Sequence, residues 1–165
     1  LPQLPKEYIL GTHPDYFVAR LGLDMPAQPE DEQTVVLKMV PSKVGEVVKT
    51  IYFDYKSAAI KQDFNAELNE IVFFMEDNPG MSLEIGSHTD SRGSNESNQK
   101  LSEERAAASR NYIIQKKIEP TRVSSKGYGE TQLTNDCNDT TPCEETGHTS
   151  NRRSEFKVTK IESHQ

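Results

Sequence analysis

The sequence predicts an α+β fold: a βαβαββ-type sandwich in which two main helices pack on one face of a mixed sheet. Three observations carry this. Residues 81–87, "MSLEIGS", alternate apolar and polar, as a strand with one buried face does. Phe64, Leu68, Ile71, Val72 and Met75 recur at helical steps. The order strand, helix, strand, helix, strand, loop, strand suits helices layered on a sheet.

Taken in order, residues 1–32 hold more than half of the nine prolines and show little periodicity. They read as a linker or the tail of a preceding module, although "EYILGTHPDYFVARLGL" allows two short strands about a turn at "THPD". Residues 33–50 form a strand-containing lead-in: "TVVLKMV" is β-branched, and "PSKVGE" makes the turn into a second run, "KTIYFDY". The main domain is expected over 51–162. Asp63 is placed to cap its first helix, and "DNPG" at 77–80 to end it. After the strand at 81–87 comes a polar loop, then a helix running to about Lys117 with Leu101, Ala108 and Tyr112 on its apolar face. "RVSSKGYGE" supplies a short strand, a cysteine-bearing loop follows, and "RSEFKVTKI" alternates as the last strand.

Composition limits the function. A hydrophobic content of 33% with a net charge of −7 describes a polar chain that still carries periodic apolar segments. The acidic balance and the lack of a basic stripe argue against nucleic acid or an anionic membrane as partner. Apolar runs such as "IVFFM" are far shorter than the roughly 20 residues a spanning helix needs, so no direct membrane span is expected. The opening "LPQLPKEY" has none of the features of a secretion signal, which leaves a cytoplasmic protein or a piece of a longer precursor. The cysteines favour the second. Cys137 and Cys143, the only two, lie six apart in a stretch of Asn, Asp, Thr and Pro, where a disulfide would staple a loop in an oxidising compartment. Zinc would need more ligands than these and His148.

Enzyme chemistry finds little support. Ser87, His88 and Asp90 contain the letters of a hydrolytic triad, but neighbours on an extended chain point to opposite faces and do not line up. His13, His88, His148 and His164 lack metal-ligand spacing, so neither metal nor cofactor is expected. His88 reads as a structural hydrogen-bonding residue. Asn98, Ser102 and Arg105 share one stripe of the second helix, and Asp90 lies just past the exit of a buried strand, where polar groups can gather around a ligand. From spacing alone, Arg105 reads as a solvated helix residue or an internal ion-pair partner of Asp90.

Four ordered blocks, "IYFDYKSAAI", "GSHTDSRGSNESNQKLSEERA", "GYGE" and "NRRSEF", make the region from about Ile51 to Ile161 resemble the OmpA-like peptidoglycan-binding domain shared by OmpA C-terminal domains, Pal lipoproteins and MotB stators. The resemblance implies a non-catalytic domain of the periplasm, associated with the outer membrane of a Gram-negative bacterium and joined to other modules of a longer envelope protein. It implies that Asp90 and Arg105 bind the zwitterionic end of diaminopimelate in the peptidoglycan stem peptide, carboxylate to ammonium and guanidinium to carboxylate. Asn98 and Arg152 are implied to line the same pocket. On that reading the two charges serve the ligand more than the core. Lys56 and Arg92 depart from the family's usual residues and receive no role, and homodimerisation is left open. The alternative is a structural assembly domain of an envelope machine, with weak or vestigial wall binding.

Overall fold

A computed structural model describes residues 8–13, 15–22, 39, 41–141 and 143–162. Two strands, β1 (Tyr8–His13) and β2 (Tyr16–Gly22), pair antiparallel. The main sheet comprises β3 (Val47–Tyr52), β4 (Met81–Ser87), β5 (Val123–Gly127) and β6 (Arg153–Ile161), in the order β3-β6-β4-β5. Three helices accompany it: α1 (Asn65–Asp77), α2 (Asn95–Gln115) and the short α3 (Glu145–Asn151). The predicted strand "TVVLKMV" falls outside the described residues except for Met39, which is not in a strand.

The sheet is mixed because of its connections. β4 and β5 run parallel, joined by the α2 crossover that a parallel pair requires, whereas β6 is antiparallel to both β3 and β4. The alternation in β4 does what it predicts: Met81, Leu83 and Ile85 are buried and Ser82 and Glu84 are half-buried. These side chains meet Ile51, Phe53, Val123, Phe156 and Val158 from the rest of the sheet region, and Leu68, Ile71, Val72 and Met75 from α1. Each fully buried aliphatic or aromatic side chain of this kind contributes roughly 1.5–3 kcal/mol. Ile113 and Ile118 belong to the same cluster.

Two expectations need correcting. Asp63 does not cap α1; it lies inside a 3-10 turn, Gln62–Phe64, and the helix starts after Phe64 without a side-chain cap. In α2, Leu101, Ala108 and Tyr112 are only half-buried, while the inward stripe is Asn98, Ser102, Arg105, Ala106, Ser109 and Ile113. The helix is therefore aligned by a mostly polar seam. Gly127 makes the close approach possible: a Cβ there would fall 2.5 Å from both the Glu103 backbone nitrogen and Ser102 Oγ. The two main helices are α1 and α2 as expected, with the short α3 added ahead of β6.

The β1–β2 hairpin packs on α1. Phe17 is buried against Phe74 with edge-to-face rings, and the Asn78 side chain exchanges hydrogen bonds with the Val18 backbone at 2.9 and 3.0 Å.

Candidate functional site: a charged cleft at the exit of β4

Beyond Ser87 the chain leaves the sheet but remains tied to it. The His88 nitrogen donates to the Arg153 carbonyl and the Thr89 nitrogen to that of Gly129. These bonds hold His88, Thr89, Asp90 and Ser91 in a buried row instead of a solvated loop. Gly93, at φ +124°, turns the chain into α2, whose first turn is capped by Ser94 Oγ accepting from Ser97 N.

A cleft forms where this segment meets α2, the β3–α1 connection and the start of β6. Its walls are Tyr55, Lys56, Thr89, Asp90, Arg92, Asn98, Leu101, Arg105 and Arg152, with about 180 Å³ between them once the open solvent at the mouth is included. Asp90, Asn98, Arg105 and Arg152, named from sequence, are thus brought together. The cleft's enclosed interior has room for about one water molecule, so a ligand end enters only as the walls move apart.

The pairing within the cleft differs from the simple expectation of Asp90 facing Arg105. Asp90 Oδ2 accepts from Arg152 Nη1 at 3.0 Å and from Arg92 Nη2 at 2.5 Å and Nε at 3.1 Å. Its other oxygen, Oδ1, accepts only a longer bond from the Arg92 backbone nitrogen, 3.3 Å. Burial by itself would raise the Asp90 carboxyl, but the hydrogen bonds from Arg92 and Arg152 outweigh it and hold its pKa below the ordinary value.

Arg105 is fully buried and donates to three backbone carbonyls: Ser57 through Nε, His88 through Nη1 and Asp54 through Nη2. Its guanidinium also lies 5.0 Å from the centre of the Phe53 ring. The cation therefore pins the β3–α1 connection to the exit of β4, and the expectation that it serves a ligand more than the core is corrected on this point. Burial, then the neighbouring Arg152 charge, depress its pKa to about 10 against the opposing pull of Asp90, so it is charged at neutral pH.

Asn98 donates to the Asp90 carbonyl at 3.3 Å and makes a close contact with Glu130 Oε2. Arg152 sits at the C-terminus of α3 and is buried. It spans Asp90, the Phe53 carbonyl, Thr149 Oγ1 and Glu145 Oε1.

Glu145, the exposed first residue of α3, carries no motif in the sequence. It pairs with both Arg92 and Arg152. Hydrogen bonds from these two arginines, Arg92 first, lower its pKa. The cysteine loop positions it: Cys137 and Cys143 are bridged, with Cα atoms 5.6 Å apart, and Ser91 Oγ donates to the Cys137 carbonyl. The signal that was available is the disulfide itself, which brings "CEE" back towards the segment after Asp90.

His88 is buried, stacks on Tyr128 with ring centres 5.2 Å apart, and leaves Nδ1 without a partner. Among the described residues no group of three or more His, Cys, Asp or Glu is arranged to hold a metal ion, and no helix is long and apolar enough to cross a membrane.

Comparison with known proteins identifies the family and the fold. The OmpA family matches residues 52–147, more than half of the chain. Outer membrane porin F of Pseudomonas aeruginosa is 37% identical over 93 residues, 54% of this chain and 27% of that protein. Photosystem I P700 chlorophyll a apoprotein A2 of Gloeobacter violaceus is 41% identical over 96 residues, 58% of this chain, in a match confined to 11% of that protein. The chain thus spans about a third or less of these relatives' lengths. Among solved structures, the peptidoglycan-associated lipoprotein of Burkholderia pseudomallei superposes with a TM-score of 0.62 over 67% of this chain and 89% of that one, at 22% identity. At that identity the likeness is one of fold.

Proposed function

The chain belongs to the OmpA family, and we propose that it binds peptidoglycan without catalysis, holding the zwitterionic end of diaminopimelate in the stem peptide and so anchoring an envelope protein to the cell wall. The observation that carries this reading is the convergence of Asp90, Asn98, Arg105 and Arg152 on one small cleft from three separate parts of the chain. The Burkholderia relative, whose name records an association with peptidoglycan, supports it through the shared fold.

Asp90 Oδ1 keeps lone pairs that a ligand ammonium can take. Of the five N–H donors on each guanidinium, Arg105 uses three and Arg152 four on the contacts described above, leaving capacity for a ligand carboxylate. The cleft thus offers one carboxylate and several guanidinium donors within a largely desolvated space, where opposite charges interact more strongly than in water. The disulfide suits an oxidising compartment such as the periplasm. Residues 1–32 would then connect the domain to the rest of a longer protein.

One observation favours a second reading, an assembly domain with vestigial wall binding: Arg92 and Arg152 already occupy Asp90 Oδ2. Co-sedimentation with purified sacculi separates the two. Saturable pelleting that free diaminopimelate-containing peptide reverses supports wall binding. A folded protein that stays in the supernatant supports the assembly reading.

A further inference from the structure

The mouth of the cleft carries a feature that a zwitterionic ligand end does not use. Tyr55, 43% exposed, projects there with two cations against its ring: the Arg92 guanidinium 4.1 Å from the ring centre and Lys56 Nζ 5.2 Å from it. Lys56 adopts φ +55°, a left-handed conformation that costs free energy for a residue with a Cβ. Among the described residues no carboxylate pairs with it. Arg92 is committed through Nε and Nη2 to Asp90 and through Nη1 to Glu145, but its side chain remains 32% exposed. One N–H on each terminal nitrogen is left for a further acceptor.

The charge balance points the same way. Lys56, Arg92, Arg105 and Arg152 line the cleft with one carboxylate, Asp90, and a second carboxylate, Glu145, pairs with Arg92 and Arg152, so four cations meet two anions. This concentration of cations sits on a chain whose net charge is −7. A ligand end that brings one ammonium and one carboxylate leaves the local excess unchanged. A further ligand anion reduces it and relieves the repulsion between two cations gathered on one ring.

We propose that Lys56 and Arg92, bracketing Tyr55, form a second anion subsite that takes a carboxylate of the same peptide outside its zwitterionic end. The subsite rests on the peptidoglycan reading above and makes it more specific: the preferred stem peptide keeps its other carboxylates free, and an amidated one is discriminated against. Lys56 supplies a point charge and Arg92 a directional donor.

Calorimetry with two synthetic peptides tests this: alanyl-γ-glutamyl-diaminopimelate with the glutamyl α-carboxylate and the peptide-terminal carboxylate free, and the same peptide with both amidated. The native protein is expected to bind the free form about tenfold more tightly, a preference that shrinks as salt is raised. Lys56→Gln, at an exposed position where folding is not at risk, is expected to remove most of that preference by weakening the free form. Arg92→Gln is expected to reduce it as well. Equal affinity of the native protein for the two peptides, or a preference that survives Lys56→Gln, overturns the subsite while leaving the peptidoglycan reading intact. Failure of that underlying reading has a separate signature, in which neither peptide binds or both bind with Asp90→Asn unaffected, and it removes the subsite too.

Discussion

Arg152 Nη1 donates to Asp90 Oδ2 at 3.0 Å across 62 residues of sequence, and both side chains are almost wholly buried. One ion pair therefore ties the exit of β4 to the junction of α3 and β6, and the cleft lies against it. Arg152→Ala leaves Asp90 with the more exposed Arg92 as its remaining ionic partner. A loss of about 3 kcal/mol is expected in denaturant unfolding, because a buried charge is left short of its partner. A change below about 1 kcal/mol would contradict the buried-pair assignment.

Arg105→Ala is expected to be more costly still, since three backbone carbonyls, that of His88 buried, lose a charged donor and a large cavity opens. A loss of about 3–5 kcal/mol follows from these two effects together. Arg105→Lys is expected to recover only part of it, because an ammonium does not reach three carbonyls in the guanidinium's planar fork. Midpoints of chemical denaturation with unchanged slope are the measurement.

His88 sets a pH dependence of folding. Burial first, then the Arg153 charge, depress its pKa from 6.5 to about 4. Between those values the unfolded chain binds a proton that the folded one does not. Stability is thus complete above pH 6.5, falls as pH drops towards 4, and loses up to roughly 3 kcal/mol from this group. Asp90, whose folded pKa lies below 3.8, acts in a lower window: its contribution is present above the ordinary carboxylate pKa and is lost as pH falls through the folded value. His88→Phe is expected to flatten the profile between pH 6.5 and 4 and leave the acid limb. A profile unchanged by the substitution would remove His88 as the cause.

Much of the fold was legible because its elements obey simple periods. Met81, Leu83 and Ile85 alternate, and Leu68, Ile71, Val72 and Met75 follow one helical face; both patterns are buried as read. α2 was legible as a helix but not in its orientation. Its inward seam is Asn98, Ser102, Arg105 and Ser109; hydrogen bonds hold the first three, Ser109 Oγ is buried without one, and the absent side chain of Gly127 makes room, none of which a hydrophobic period registers. At the site, the four residues carried by resemblance do meet in one cleft. Their pairing was not legible: whether Arg105 faces Asp90 or three carbonyls depends on the backbone path of residues 54–57. Seven-residue α3 and its Glu145 were too short a signal to separate from the surrounding polar loop.

Gly127→Ala tests how α2 is seated. The added methyl meets backbone at Glu103 as well as Ser102 Oγ, so the neighbour that must shift is the helix itself. A loss of about 1–3 kcal/mol is expected from this overpacking. Unchanged stability would mean that α2 lies further from β5 than described.

Reduction of the disulfide is expected to loosen residues 131–145 without unfolding the sheet. So short a closed loop accounts for about 2 kcal/mol of stability on the chain-entropy view. Because Ser91 Oγ donates to the Cys137 carbonyl and Glu145 follows Cys143, peptide binding should weaken along with the loop. Hydrogen exchange on oxidised and reduced protein checks this: protection lost across 131–145 and retained in β4 supports it, and uniform loss would contradict it.

The most direct test of wall recognition is calorimetry of the native protein and Asp90→Asn against alanyl-γ-glutamyl-diaminopimelate, with and without acetylation of the ammonium at the diaminopimelate end. The substituted amide retains an oxygen acceptor for Arg152, so the fold is kept while the charge is lost. The native protein should lose well over tenfold in affinity on acetylation, equivalent to more than about 1.4 kcal/mol. Asp90→Asn should bind the unmodified peptide about as weakly as the native protein binds the acetylated one, and should scarcely distinguish the two. Native-like binding of the unmodified peptide by a folded Asp90→Asn protein would contradict the assignment of Asp90 to the ligand ammonium.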